Sequence, residues 1–122
     1  ILVRNRHGAR RLVEALPEEE LPRVLDVGCG TGFVSEAMVA RRGARALTGV
    51  DPSEAMLARY AEKLGALPGI EVRTLRAGVL DMEVPEGAFD AVVSGMAFHW
   101  FPDKPAAVAA MARALRPGGV LG

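Results

Sequence analysis

Short apolar runs alternate along this chain with longer segments in which apolar residues recur at helical spacing. Val24, Leu25 and Val27 form the first run, and their continuous apolar character predicts a strand buried on both faces. Further strands are predicted at Ala46–Val50, Ile70–Leu75 and Phe89–Ser94. Because strands that alternate with helices favour a parallel sheet with crossover helices, the pattern predicts an α/β fold.

The helical segments are predicted between and beside these strands. The first covers residues 6–16, where apolar side chains lie at positions 9, 12, 13 and 16, and the second ends at Gly43. The third follows Pro52-Ser53 with Leu57, Tyr60, Ala61 and Leu64 on its apolar face. The last is expected to begin with Asp103 as its N-cap and to end at Pro117-Gly118-Gly119. Its predicted buried residues are Val108, Met111, Ala112 and Leu115.

Three glycines at alternate positions follow the first strand, in Asp26-Val27-Gly28-Cys29-Gly30-Thr31-Gly32. A strand, a glycine-rich loop and a helix together predict a site for a nucleotide-type cofactor. A dinucleotide fingerprint, Gly-x-Gly-x-x-Gly, requires glycine where this chain has Phe33. The bulky ring disfavours close packing beneath a pyrophosphate. A tight turn that binds nothing is the other interpretation of the loop.

Asp51 ends the second strand, 19 residues after Gly32. A carboxylate at that place accepts the hydroxyl hydrogens of a ribose, so it indicates an adenosine cofactor without identifying which one. The alternative is that Asp51 caps the helix that follows. The glycine loop upstream favours ribose binding.

Three later segments add to this pattern: residues 50–57 (Val-Asp-Pro-Ser-x-x-Met-Leu), 89–103 and 112–119 (Ala-Arg-Ala-Leu-Arg-Pro-Gly-Gly). With the glycine loop, they resemble the class I S-adenosylmethionine-dependent methyltransferases from about residue 21 to the end of the chain. Within residues 89–103, Phe98-His99-Trp100-Phe101 resembles the small-molecule branch that contains trans-aconitate methyltransferase. The resemblance implies a Rossmann-like, doubly wound, mainly parallel sheet with helices on both faces.

The same resemblance implies the cofactor, S-adenosylmethionine, with S-adenosylhomocysteine as its product, and the residues that hold it. Asp26 and the glycines Gly28, Gly30 and Gly32 would line the methionine part of the cofactor. Asp51 would bind the ribose hydroxyls. The acceptor of the methyl group would be a small molecule, with a carboxylate as one candidate.

The adenine and the amino end of the cofactor are assigned in the same way. Pro52 and Met56 would lie near the adenine, the backbone of Val79 and Leu80 would meet its edge, and Ser94 would approach the amino end. The chain departs from the family pattern at residues 77–79, which read Ala-Gly-Val where the family often has an acid. The usual acceptor for the adenine amino group is therefore missing, and whether Asp81 replaces it stays open.

Methyl transfer requires a base only where the acceptor must lose a proton. His99 is the candidate catalytic residue for that step, and the alternative, slightly favoured, is an imidazole that packs beside Trp100 and Phe101. No metal is expected, because two distant histidines and one cysteine do not form a ligand cluster.

Composition limits the remaining functions. The formal net charge is zero, with acidic and basic residues interspersed, so neither nucleic acid nor a membrane surface is an expected partner. A single cysteine, Cys29, excludes an intrachain disulfide and fits a reducing cytoplasm. We expect residues 1–122 to be one domain, the cofactor-binding portion of the methyltransferase fold, incomplete at both ends and without its C-terminal strands. An NAD(P)-dependent oxidoreductase and a cofactor-binding module without catalysis are the alternative functions.

Overall fold

The chain folds into a parallel sheet with helices on both faces, as the alternating pattern predicts. The structure is a computed structural model, and it describes residues 5–95 and 101–122. The elements are α1 (Arg6–Glu14), β1 (Arg23–Val27), α2 (Phe33–Arg42), β2 (Ala46–Val50), α3 (Glu54–Gly65), β3 (Glu71–Leu75), β4 (Phe89–Val93), α4 (Lys104–Ala114) and β5 (Leu115–Leu121). The strand order is β3-β2-β1-β4-β5, and every neighbouring pair is parallel. This confirms the Rossmann-like, doubly wound fold.

The two faces of β1 pack against different helices. Val24 belongs to the core formed with α1, α2 and α3, whereas Leu25 and Val27 belong to the core formed with α4. Because successive side chains of a strand point to opposite faces, Asp26 lies on the face of Val24, towards α2 and α3. This alternation determines the surroundings of the acid that precedes the glycine loop.

The predicted faces of the first three helices agree well with the structure. All four apolar positions of the first segment are buried, and so are Leu57, Tyr60 and Leu64 of α3, whereas Ala61 is exposed. Gly43 ends α2 in the left-handed conformation, with φ of 67°. No helix in the described ranges is long and apolar enough to cross a membrane.

The predicted face of α4 was mostly wrong. Asp103 caps the helix as expected, by accepting the Ala106 N–H at 3.0 Å. Val108 and Ala112 are nevertheless exposed. The buried residues are Ala107, Ala110, Met111 and Ala114. Because most of the helix is alanine, the apolar pattern does not define a face, and small side chains are what pack closely against the sheet.

The predicted end of α4 was also wrong, because it lies too far along the chain. The helix stops at Ala114, and Pro117-Gly118-Gly119 lies inside β5. The pairing of β4 with β5 shifts in register between Phe89 and Ala91, and Gly118 has φ of 78°. Such an irregularity lets a strand contain a proline and glycines that would weaken a regular ladder.

Asp90 joins three strands at their amino ends. Its buried carboxylate accepts the Arg23 backbone N–H at 2.8 Å, the Arg23 guanidinium at 3.0 and 3.2 Å, and the Arg116 Nε at 2.6 Å. Burial raises the pKa of Asp90, but the hydrogen bonds from the two arginines outweigh that effect and hold it at about 2. The carboxylate of Asp90 is therefore ionised in the folded protein near neutral pH.

We expect Asp90→Asn to lower the free energy of unfolding at pH 7 by about 1–2 kcal/mol, because two arginines lose a charged acceptor while staying partly hydrated. Since the pKa falls on folding from 3.8 to about 2, this contribution is present above pH 4 and lost as the pH falls towards 2. Urea unfolding of both proteins between pH 2 and 7 measures it. Glu71→Gln, which removes the exposed partner of Arg73, is the control and should cause no measurable loss. An undiminished difference at pH 2 would contradict the account.

Candidate functional site

The glycine loop lies at the carboxyl end of β1 and depends on left-handed backbone at each glycine. Gly28, Gly30 and Gly32 have φ of 66°, 52° and 90°. The loop is held to β2 by the Val50 carbonyl, which accepts the N–H groups of Gly28 at 2.7 Å and Cys29 at 3.0 Å. Residues with a Cβ rarely adopt this conformation, so the alternating glycines are required by the shape of the backbone.

Two of these glycines face different surroundings. A Cβ at Gly30 would meet nothing within 4 Å, whereas one at Gly32 would lie 2.9 Å from both Tyr60 Cδ2 and Leu64 Cδ1. Gly32 is therefore the position of close packing against α3, and Gly30 borders open space. The ring of Phe33, the next residue, packs against Lys63, whose ammonium nitrogen lies 4.4 Å from the ring centroid.

Asp51 connects the end of β2 to the glycine loop. Its Oδ2 accepts the Gly30 N–H at 3.0 Å, and its Oδ1 accepts the Ser53 N–H at 2.8 Å. The interpretation of Asp51 as a helix cap was wrong, because Ser53 caps α3 by accepting the Met56 N–H. A carboxylate oxygen can accept two hydrogen bonds, so each oxygen keeps capacity for a ligand hydroxyl.

A cleft of about 260 Å³ opens beside this loop. It is lined by Val27, Gly28, Pro52, Ala77, Gly78, Val79, Leu80, Asp81, Phe101 and Pro102. The lining thus includes four of the predicted cofactor-binding residues, and Asp81 is the one charged side chain among these ten. Met56 does not line the cleft and is 38% exposed in the first turn of α3. The apolar walls suit a flat ring, and Asp51 is next to Pro52 at the border of the cleft.

Asp26 lies beneath the loop and does not line the cleft. The residue is 1% exposed, and its Oδ2 accepts the hydroxyl of Ser35 at 2.8 Å. Ser35 Oγ lies 2.7 Å from the hydroxyl of Tyr60. Burial raises the pKa of Asp26 to about 7, and the hydrogen bonds from Ser35 oppose that rise. Its direct contact with a cofactor stays a prediction.

Ser35 and Tyr60 were not recognised from the sequence as part of this site. Both are fully buried and come from α2 and α3. The available signal was a tyrosine on the apolar face of a helix, because a buried tyrosine hydroxyl requires a hydrogen-bond partner. Nothing in the local pattern identified that partner as a serine 25 residues earlier.

The remaining predicted residues lie at the same edge or outside the described ranges. Ser94 follows β4, and the pairing of Asp26 with Val93 places it beside Val27. Its buried Oγ has no hydrogen-bond partner among the described residues. The predicted base, His99, lies outside the residues that the structure describes, as does Trp100.

Cys29 is buried within the loop, and burial is the main reason why the pKa of its thiol is raised well above the ordinary value. A thiol in that state is a poor nucleophile. In the described part of the chain, no three His, Cys, Asp or Glu side chains form a group that could hold a metal ion.

Comparison with known proteins shows a clear relationship. A family model described as "Methyltransferase domain" matches residues 24–119, which includes the loop, the cleft and β4. The malonyl-[acyl-carrier protein] O-methyltransferase of Magnetococcus marinus is 39% identical over 115 residues, 93% of this chain and 41% of that protein. The trans-aconitate 2-methyltransferase of Deinococcus radiodurans is 38% identical over 113 residues, with the same two shares.

Among solved structures, an S-adenosylmethionine dependent methyltransferase from Mesorhizobium loti has a TM-score of 0.77 and 33% identity. The match covers 94% of this chain and 53% of that one. The chain therefore spans about two fifths of the length of these curated relatives and about half of the solved chain.

We expect Gly32→Ala to lower the free energy of unfolding by about 3 kcal/mol, because a methyl group there combines left-handed strain with overlap against α3. Gly30→Ala is the matched control. Gly30 is also left-handed, with φ of 52° against 90° at Gly32, but a methyl group there meets open space, so the loss should be about 1 kcal/mol. Urea unfolding measures both values, and equal losses would contradict the packing role assigned to Gly32.

The free energy of unfolding of the Asp26→Asn variant, minus that of the unaltered protein, should increase as the pH rises from 5 to 8. The pKa of Asp26 rises on folding from 3.8 to about 7, so in the unaltered protein the buried carboxyl keeps its proton while the unfolded chain ionises. This lowers stability progressively up to about pH 7, and the effect levels off above it. An asparagine oxygen still accepts from Ser35 and carries no charge. Unfolding curves at pH 5, 6, 7 and 8 test this, and a constant difference between the two proteins would be inconsistent with it.

Proposed function

This chain belongs to the family of methyltransferase domains, and we propose that it binds S-adenosylmethionine at the carboxyl edge of its sheet and transfers the methyl group to a small molecule. The observation that carries the proposal is the combination at one edge of a left-handed glycine loop, the Asp51 carboxylate and an apolar cleft. Residues 1–122 serve as the cofactor-binding portion of that enzyme.

The residues at this edge fit the three parts of the cofactor. The apolar cleft accepts the adenine ring, with Pro52 on one side and the backbone of Val79 and Leu80 at the ring's edge. Asp51 binds the ribose hydroxyls through the lone pairs that its two backbone contacts leave free. Gly30, which borders open space, leaves room for the methionine part. Ser94 Oγ, which has no partner within residues 5–95 and 101–122, is a suitable contact for the amino end.

When bound, the cofactor supplies a methyl group on a sulfonium, which is already a good leaving group. The protein's contribution is then mainly to hold the acceptor and the methyl group in line and to exclude water. Asp51 and the glycine loop fix the cofactor from the side of β1 and β2. His99 would serve as base only for an acceptor that must lose a proton.

A carboxylate is the acceptor that we favour. The relatives from Magnetococcus marinus and Deinococcus radiodurans are named for malonyl and trans-aconitate acceptors, and both of these groups carry free carboxylates. An ionised carboxylate oxygen attacks without first losing a proton, so this acceptor makes no demand on a base. It is thus compatible with a site in which His99 only packs.

We expect the intact protein to bind S-adenosylmethionine and S-adenosylhomocysteine in calorimetric titrations, and NAD or NADP not at all. Asp51→Ala should weaken S-adenosylhomocysteine binding by about 100-fold, or about 3 kcal/mol, because two charge-assisted hydrogen bonds to the ribose are lost. Glu54→Ala is the matched control, since it removes an exposed acid three residues away that pairs with Arg76. Binding of NAD or NADP without either sulfur ligand would contradict the methyltransferase function and favour an oxidoreductase.

A further inference from the structure

A chain of three hydrogen-bonded side chains lies directly beneath the glycine loop and outside the cleft. The hydroxyl of Tyr60 in α3 lies 2.7 Å from Ser35 Oγ in α2, and Ser35 donates to Asp26 Oδ2 in β1 at 2.8 Å. Their exposed fractions are 0, 0 and 1%. The three residues therefore join the strand that leads into the loop to both helices that follow it.

The donors and acceptors in this chain have a fixed order. A serine hydroxyl has one hydrogen, and Ser35 donates it to Asp26. While Asp26 is ionised and only accepts, the tyrosine hydroxyl then donates to Ser35, so that both hydroxyl hydrogens point towards the Asp26 carboxylate. Removal of the Tyr60 hydroxyl would leave the buried oxygen of Ser35 without that donor.

The ring of Tyr60 is held so that its hydroxyl cannot move away. A Cβ at Gly49 of β2 would lie 2.6 Å from Tyr60 Cε1, and one at Gly32 would lie 2.9 Å from Tyr60 Cδ2. The ring thus lies against β2 and against the end of the loop at once, in space that only glycine leaves open. This packing determines where the hydroxyl meets Ser35.

We propose that Tyr60 is a positioning residue, whose hydroxyl acts through Ser35 and Asp26 to hold the glycine loop in the shape that receives the methionine part of the cofactor. The inference rests on the proposed function, in which Asp51 binds the ribose and the apolar cleft binds the adenine. Asp51 and the residues that line the cleft make no hydrogen bond to Ser35 or Tyr60 among the described residues, so those two proposed contacts do not use the three side chains. The Tyr60 hydroxyl, unlike the ring that positions α3, therefore affects one end of the ligand and leaves the other unchanged.

The test compares two ligands of the intact protein by calorimetry. S-adenosylhomocysteine has the amino acid part, and 5′-methylthioadenosine keeps the adenine, ribose and sulfur but lacks it. Tyr60→Phe should weaken the binding of S-adenosylhomocysteine by about five- to tenfold, as expected for the loss of one buried hydrogen bond. It should weaken the binding of 5′-methylthioadenosine by less than about twofold. Equal weakening of both ligands, or of neither, would overturn the proposal.

The control for general destabilisation is Asn5→Ala, which removes the N-cap of α1, where Asn5 accepts the Gly8 N–H at 2.9 Å. It should lower the melting temperature and leave the affinity ratio of the two ligands unchanged. If Asn5→Ala changed the affinity ratio as much as Tyr60→Phe does, lost stability alone would explain the weaker binding of S-adenosylhomocysteine. That result would overturn the positioning role.

A double-mutant cycle gives an independent measurement. Ser35→Ala should weaken S-adenosylhomocysteine selectively, and Tyr60→Phe added to it should cause little further loss, because the hydroxyl then has no serine to act through. Additive losses would overturn the proposal. If the unaltered protein bound neither ligand, the proposed function would be wrong and this inference with it. If the unaltered protein bound both ligands but the variants weakened both equally, only this inference would be wrong.

Discussion

The contact between one tyrosine ring and two glycines determines how the functional edge of the sheet is assembled. Gly49 in β2 and Gly32 at the end of the loop leave the space that the Tyr60 ring occupies. Any larger residue at either position would push α3 away from the sheet. Because α3 begins just after Asp51, its close approach also determines where that carboxylate meets the Gly30 N–H. Packing on one face of the sheet thus shapes a polar site at its edge.

The two edges of the sheet use carboxylates in different ways. At the amino edge, Asp90 accepts four hydrogen bonds from two arginines, and its role is to join β1, β4 and β5. At the carboxyl edge, Asp51 accepts two backbone N–H groups and keeps free lone pairs. The first acid has its hydrogen-bonding capacity filled by the protein, whereas the second keeps capacity for a ligand. The carboxylate that stabilises the sheet and the carboxylate with free lone pairs therefore lie at opposite edges, one strand length apart.

Local sequence patterns predicted most of this fold because the relevant signals are local. Apolar runs identified β1 to β4, and the glycine loop with Asp51 identified the edge where the cleft lies. The face of α4 could not be predicted, since alanine on every side leaves no apolar stripe and tertiary packing chooses the orientation. The end of α4 was missed for a related reason, because a bulged β5 contains the Pro-Gly-Gly sequence that is typical of a helix stop.

The Asp26–Ser35–Tyr60 chain was beyond such patterns for another reason. Its members come from three elements, and only their packing brings the polar atoms within 2.7–2.8 Å. The position of Asp26 follows from strand alternation once the faces of β1 are known, but those faces are assigned by the helices that cover them. A motif identifies the acid, whereas the fold decides what it touches.

The burial of Cys29 has a practical consequence. It is the only cysteine of the chain, it lies in the glycine loop, and its Sγ would be 2.9 Å from a Cβ at Gly49. An alkylating reagent can reach it only when the loop separates from β2, so the rate of labelling reports the opening of the loop itself. The protein thus contains a natural chemical probe within the glycine loop, and any ligand that holds the loop against β2 slows the labelling of that thiol.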